Sequence, residues 1–192
     1  KIFSVSGHVN KPGNYEVRLG TPFAELLEMA GGVRNGHKLK AVIPGGSSMK
    51  VLKADKMMAC TMDYDSIRDA GSGLGSGAVI VMDETTCMVR ACERISQFYH
   101  MESCGQCTPC REGTGWIEKA LYRMSHGLGR LEDLDLLISV GANISPGVVN
   151  APFVQTTICP LGPSAISCIA SLNKYFRAEI LERLRTDAGV HA

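Results

Sequence analysis

Three cysteines recur at two-residue spacing within Cys104-Gly105-Gln106-Cys107-Thr108-Pro109-Cys110. This run constrains the chain more than any other feature, because thiols held so close together suit a shared inorganic centre. Gly105 permits a tight backbone turn between the first two sulfurs, and Pro109 stiffens the approach to the third. Several backbone N–H groups of such a loop are expected to point inward, where they can bond sulfur. A ferredoxin-style run would continue with three residues and then Cys-Pro, but position 114 is Thr. A fourth ligand must therefore come from far along the chain.

Cys159, in Thr157-Ile158-Cys159-Pro160-Leu161-Gly162-Pro163, is the preferred fourth ligand. It precedes a proline and falls in a loop before the last predicted helix. Cys168 and Cys92 are the rivals, but both fall on helical apolar stripes, where a free cysteine commonly serves as a small buried hydrophobe. Cys60 and Cys87 read as inert thiols. Four thiolates serve either zinc or an iron–sulfur cluster. Zinc sites usually pair two short Cys-x-x-Cys knuckles, whereas a tight triplet with one distant cysteine is iron–sulfur in style. A [4Fe–4S] cluster on Cys104, Cys107, Cys110 and Cys159 is the expectation, with structural zinc as the alternative.

The eight cysteines are even in number, which could suggest disulfides. However, a chain of 192 residues with 45% hydrophobic content is too large and apolar to need a disulfide framework, and a reducing compartment is expected. Twenty basic and nineteen acidic residues leave a net charge of +1, so no bulk electrostatic argument favours nucleic acid or an anionic membrane. No apolar stretch is long enough to cross a bilayer, so membrane association would have to come through a partner. The chain opens on Lys1-Ile2-Phe3, already strand-like and without an initiator Met; it is expected to continue a longer polypeptide.

Residues 1–85 read as a small α+β sheet domain. Lys1 to Val9 alternates apolar and polar, Asn10 to Asn14 is a turn, and Tyr15 to Leu19 alternates again. Thr21 is expected to cap a helix with Pro22 at its first position and Phe23, Leu26, Leu27 and Ala30 on one face, ended by Gly31-Gly32. Ala41-Val42-Ile43 and Ala78 to Met82 read as further strands. Residues 86–192 read as helical. Thr85 or Thr86 is expected to cap a helix bearing Val89, Cys92, Ile95 and Tyr99. A second carries Trp116, Ile117, Ala120, Leu121 and Met124 and stops at Gly127-Leu128-Gly129. Leu131, Leu134 and Ile138 mark a third, 141–156 reads as a loop, and a last helix from about Ser164 turns Ile166, Ile169, Phe176, Ile180 and Leu184 inward.

Gly73-Leu74-Gly75-Ser76-Gly77-Ala78 matches the dinucleotide fingerprint G-x-G-x-x-A, but it precedes a strand instead of following one, so it reads as a turn. Pro44 to Ser48 lacks the Gly-Lys-Ser/Thr ending of a phosphate loop and also reads as a turn. His8, His37, His100, His126 and His191 show no ligand spacing, although His100 lies near the cysteine run. No Ser/His/Asp set or carboxylate pair is visible.

Glu102 to Trp116, together with Thr157-Ile158-Cys159, resembles the NADH-binding flavoprotein 1 family of respiratory complex I, the 51 kDa type. Ser6 to Gly13, Ala41 to Ser48 and Gly73 to Asp83 resemble that family's soluble-ligand-binding β-grasp domain. The likeness covers essentially the whole chain and only the C-terminal portion of the family. It implies a β-grasp domain followed by a helical bundle, with Cys104, Cys107, Cys110 and Cys159 as cluster ligands. The FMN and NADH site would lie on the N-terminal part absent here, so this chain alone should not oxidise NADH. The resemblance also implies single-electron relay from reduced FMN toward quinone. Implied partners are a thioredoxin-like [2Fe–2S] subunit (24 kDa type) and a large multi-cluster subunit (75 kDa type). The implied location is the matrix side of the mitochondrial inner membrane, or the cytoplasmic side of a bacterial inner membrane. A homologous diaphorase subunit of an NAD-linked hydrogenase or formate dehydrogenase, and a β-grasp binding module stapled by zinc, are the competing readings. Pro160 and Pro163 replace the Ala and Asp usual after the family's fourth cysteine, Ser167-Cys168 stands where an aromatic-proline step is common, and the separation from Cys110 to Cys159 is longer than usual.

Overall fold

The alternation at the start of the chain becomes strand β1 (Ile2–Gly7), with Phe3 and Val5 buried and Ile2, Ser4 and Ser6 turned outward. Period-two placement of side chains on a half-buried strand accounts for this. The computed structural model describes residues 1–149 and 155–188, excepting the side chains at 182, 183 and 185–188. It divides into two compact units, Lys1–Thr86 and Cys87–Ala192.

The first unit is a five-stranded mixed sheet. Strand β2 is Gly13–Glu16, β3 is Leu39–Ile43, β4 is Leu52–Lys53 and β5 is Ala78–Asp83. Their order is β2-β1-β5-β3-β4, with β1 and β5 parallel at the centre and the other neighbours antiparallel. Helix α1 (Phe23–Met29) covers the sheet with Phe23, Leu26 and Leu27. Two short helices, α2 (Ala54–Met58) and α3 (Tyr64–Asp69), add Met57 and Ile67 to the same core. They and β4 were not predicted from the sequence, because each is too short to establish a period. Strand β2 starts and ends earlier than the alternation of Tyr15 to Leu19 suggests. Pro22 itself occupies the cap position of α1, with no side-chain cap, so Thr21 does not cap that helix. Gly31 and Gly32 end it with φ of +76° and +72°.

A buried carboxylate closes the end of this unit. Asp83, at the end of β5, is fully shielded from solvent. It lies 2.8 Å from His8 Nδ1 and 3.2 Å from Arg34 Nε, and accepts the Thr85 hydroxyl at 2.6 Å. Thr86 Oγ1 also donates to it, at 3.4 Å. Both threonines are therefore bound to Asp83; the cap position of the next helix is Cys87, with no side-chain cap. Burial alone would raise the carboxyl pKa, but the bonds from Thr85, His8 and Arg34 outweigh it and hold the group far below the ordinary carboxylate range.

The second unit is helical: α4 (Met88–Met101), α5 (Thr108–Ser125), α6 (Leu131–Ile144), the short α7 (Pro146–Val149) and α8 (Leu161–Ala188). Val89 and Cys92 of α4, Ile117, Leu121 and Met124 of α5, Leu134 and Leu137 of α6, and Ile166, Ile169 and Leu172 of α8 are buried. Trp116, assigned to the α5 stripe by spacing, is 52% exposed, as is Leu131 at 58%. The buried face of α5 runs instead through Gly113 and Thr114. The predicted loop at 141–156 is helical as far as Ile144 and again over α7; residues 150–154 of it lie outside the described set. Helix α8 is interrupted at Phe176, whose φ and ψ are −125° and 16°. Pro160 precedes α8 and Pro163 falls in its first turn, where a missing N–H costs no helical bond. Asp133 ties α5 to α6 by accepting the Arg123 guanidinium and the Arg130 N–H, the latter at 2.9 Å. No helix among the described residues is long and apolar enough to cross a membrane.

Replacing Asp83 by Asn should lower the unfolding free energy by about 2 kcal/mol at neutral pH, read by chemical denaturation. The folded carboxyl titrates below the unfolded one, so its contribution is complete above the ordinary Asp pKa of about 3.9. It is lost as pH falls toward the folded value, and the gap between wild type and variant should narrow in strong acid.

Candidate metal centre

The cysteine triplet is built across a loop and a helix start. Cys104 is exposed in the loop after α4, Cys107 is the cap residue of α5, and Cys110 is buried in the first turn of α5. Gly105 adopts φ of +80°, the left-handed region that lets the loop reverse between the first two sulfurs. Arg111 straps this turn by donating to the Gly105 carbonyl at 2.8 Å, while its Nε donates to Glu112 at 2.9 Å. Placing Cys107 and Cys110 at the start of a helix brings unpaired N–H groups and the positive end of its dipole toward negative sulfur.

Cys159 reaches the same place from the segment before α8. Thr156 Oγ1 donates to the carbonyls of Asn143 and Ile144, at 2.6 and 2.8 Å, pinning that segment to the end of α6. Thr157 is buried and donates to the Cys159 carbonyl at 3.1 Å. Two glycines set the spacing. A Cβ on Gly113 would stand 2.7 Å from Ile144 Cδ1, and one on Gly162 would stand 2.6 Å from Thr157 Oγ1. A side chain at either position would force a neighbour to shift, the end of Ile144 at Gly113 and the Thr157 side chain at Gly162.

Cys104, Cys107, Cys110 and Cys159 therefore line one cavity of about 110 Å³. The Ile158 N–H donates to Cys107 Sγ at 3.3 Å, a direct link between the two cysteine segments. Ser103 Oγ lies 3.3 Å from Cys110 Sγ. Among the described residues, no three Cys, His, Asp or Glu side chains group tightly enough to hold a metal ion; the four cysteines are residues of one cavity wall. Four cysteines on one cavity, with the Ile158 N–H donating to one sulfur and the Ser103 hydroxyl beside another, fit the ligand set of a cuboidal iron–sulfur cluster.

The rival cysteines are elsewhere. Cys92 and Cys168 are buried in the bundle core and interact with each other. Burial, then the neighbouring Cys168 thiol, pushes Cys92 well above the ordinary thiol range, which disfavours the thiolate a metal needs. Cys60 is buried in the first unit, with its thiol directed to the Lys56 carbonyl at 3.2 Å. Cys87 is half-buried at the cap of α4. His100 does not line the cavity; its Nδ1 lies 2.5 Å from Glu118 Oε2. His191 lies outside the described residues. The glycine run 73–77 is a turn leading into β5, so it lacks the strand-then-helix setting of a dinucleotide site. Spacing drew attention to the sulfurs, whereas Ser103, Arg111 and the Ile158 N–H had no periodic or compositional signal.

Two family models match the chain: an SLBB domain over residues 2–52, and the NADH-ubiquinone oxidoreductase-F iron-sulfur binding region over residues 90–183. The F subunit of the NADH-quinone oxidoreductase of Rickettsia conorii is 47% identical over 192 residues, covering 99% of this chain and 43% of that protein. The chain belongs to the NADH-quinone oxidoreductase F-subunit family. An F subunit of the same oxidoreductase in Rhizobium meliloti is 46% identical over 186 residues, with 96% of this chain and 41% of that protein covered. The chain thus spans less than half the length of these relatives. A crystal structure of an NAD+-reducing [NiFe]-hydrogenase in the H2-reduced state superposes with a TM-score of 0.80 at 27% identity, over 96% of this chain and 29% of that one. The fold is α+β, a β-grasp SLBB domain and a helical iron–sulfur region, and a [4Fe–4S] cluster is the cofactor that goes with membership of the F-subunit family.

In folded, metal-free protein, Cys104 and Cys159 should react with iodoacetamide at least about tenfold faster than Cys92 and Cys168. Mass spectrometry of the labelled peptides measures the rates.

Proposed function

We propose that this chain is an electron-relay part of the NADH dehydrogenase module of respiratory complex I, with Cys104, Cys107, Cys110 and Cys159 ligating one [4Fe–4S] cluster. The observation that carries the reading is the convergence of the triplet and the distant Cys159 on one cavity. When bound, such a cluster supplies reversible one-electron transfer at a potential set by its surroundings. The chain's own part is to deliver four thiolates, to shield Cys110 from water, and to aim the Ile158 N–H and the start of α5 at the sulfurs. Hydrogen bonds and burial of this kind select the potential.

In this reading single electrons come from reduced FMN, held with NADH on a part of the protein outside this chain, and pass on toward quinone. The whole assembly is then a proton-translocating NADH:ubiquinone oxidoreductase. Membership of the F-subunit family supports partners within that complex, and we assign them as the thioredoxin-like [2Fe–2S] subunit and the large multi-cluster subunit. The relatives named above are bacterial, which supports the cytoplasmic side of a bacterial inner membrane over the mitochondrial matrix side. The likeness to an NAD+-reducing hydrogenase favours the diaphorase alternative, but at 27% identity against 47% for the Rickettsia conorii relative it carries less weight. The two-unit division supports assigning 1–85 to the β-grasp domain and 86–192 to the cluster-binding domain.

Anaerobically purified protein should be brown, with broad visible absorption and about four irons per chain. Colourless protein with one zinc would replace the relay reading by the structural-zinc module. Cys107→Ser and Cys159→Ser should abolish cluster retention while Cys60→Ser keeps it; equal iron content in all three would defeat the ligand assignment.

A further inference from the structure

Cys110 differs from two of its companions in being only 7% exposed, whereas Cys104 and Cys159 are open to solvent. Water therefore does little for charge on its sulfur, and a protein donor there counts for correspondingly more. Ser103 provides one: its Oγ lies 3.3 Å from Cys110 Sγ. In a free thiol either atom could donate. A ligating cysteine is a thiolate without a proton, so the hydroxyl must then donate and the sulfur accept. The Gly105 N–H donates to the same Ser103 oxygen at 3.4 Å, occupying an acceptor position and leaving the hydroxyl proton for sulfur. Gly105 is itself held by Arg111, so the serine sits on a turn that is strapped in place.

We propose that Ser103 is a positioning residue for electron transfer, acting through Cys110 to raise the reduction potential of the bound cluster. The inference rests on the ligand assignment above. One-electron reduction adds one negative charge, which the ligand sulfurs share. A hydroxyl donating to one of those sulfurs stabilises the reduced state more than the oxidised state. Removing the hydroxyl weakens reduction, and restoring it on another side chain restores reduction.

The test is redox titration of the intact, loaded protein against mediators, with the reduced form followed by electron paramagnetic resonance and iron content measured in parallel. Ser103→Ala should keep the cluster and lower the one-electron reduction equilibrium about three- to tenfold, tenfold being 59 mV. Ser103→Thr, which retains a hydroxyl, should stay near wild type, and Ser103→Val, its isostere without one, should behave like the alanine variant. Equal potentials in all four proteins, or equal shifts in the threonine and valine variants, would overturn the inference. Cluster loss from Ala and Val with retention by Thr would also overturn it, by assigning the hydroxyl to assembly. Wild-type protein that carries no cluster would instead sink the ligand assignment beneath it.

Discussion

Closure of α6 and α8 onto the start of α5 is the contact on which the candidate site depends. Cys110 and Cys159 are separated by most of the helical unit, and bringing them together costs chain entropy that local structure cannot return. The return comes from packing. Ile144 sits against Gly113, Thr157 sits against Gly162, and Thr156 is bonded to the last carbonyls of α6. At both glycines the fit is tight enough that a single added carbon would collide. The fourth cysteine is consequently placed by the bundle core and not by its own loop.

The thiol environments follow from that packing. Two cysteines on the helical stripes, Cys92 and Cys168, are buried together, and low polarity keeps Cys92 protonated. The four lining the cavity stand instead in loop segments and at the start of α5, where the Ile158 N–H reaches Cys107 Sγ. Thiol-rich stretches are therefore separated by the fold into inert packing and potential ligands, although all are the same residue type. The first unit shows the same economy with oxygen. Asp83 is fully shielded, yet His8, Arg34, Thr85 and Thr86 satisfy it, which is the condition for keeping a charge in such a place.

Much of the fold was legible because it rests on period. Phe3 and Val5 alternate, Phe23, Leu26 and Leu27 recur at helical spacing, and the stripe on α8 reads correctly from Ile166 to Leu184. Short or polar elements were not legible. Strand β4 and helices α2, α3 and α7 are too brief for a pattern. Thr21 caps nothing because Pro22 takes the cap position of α1, and Thr85 and Thr86 are drawn to Asp83, a partner available only in three dimensions. Trp116 fits the apolar stripe of α5 by type, but Gly113 and Thr114 define the buried face; spacing alone could not say which side faces the neighbours.

By itself, the sequence determined which chemistry was within reach: three thiols with two residues between each, and a glycine between the first two, suit a shared inorganic centre. It also determined where sheet gives way to helix, since the change of hydrophobic period is local. Only the tertiary structure decided that Cys159, and neither Cys168 nor Cys92, lines the cavity with the triplet. Only it showed that Ser103 and Ile158 address the sulfurs. Those facts depend on contacts between residues far apart in the chain, where side-chain volume and backbone hydrogen bonding choose among arrangements that periodicity leaves equal.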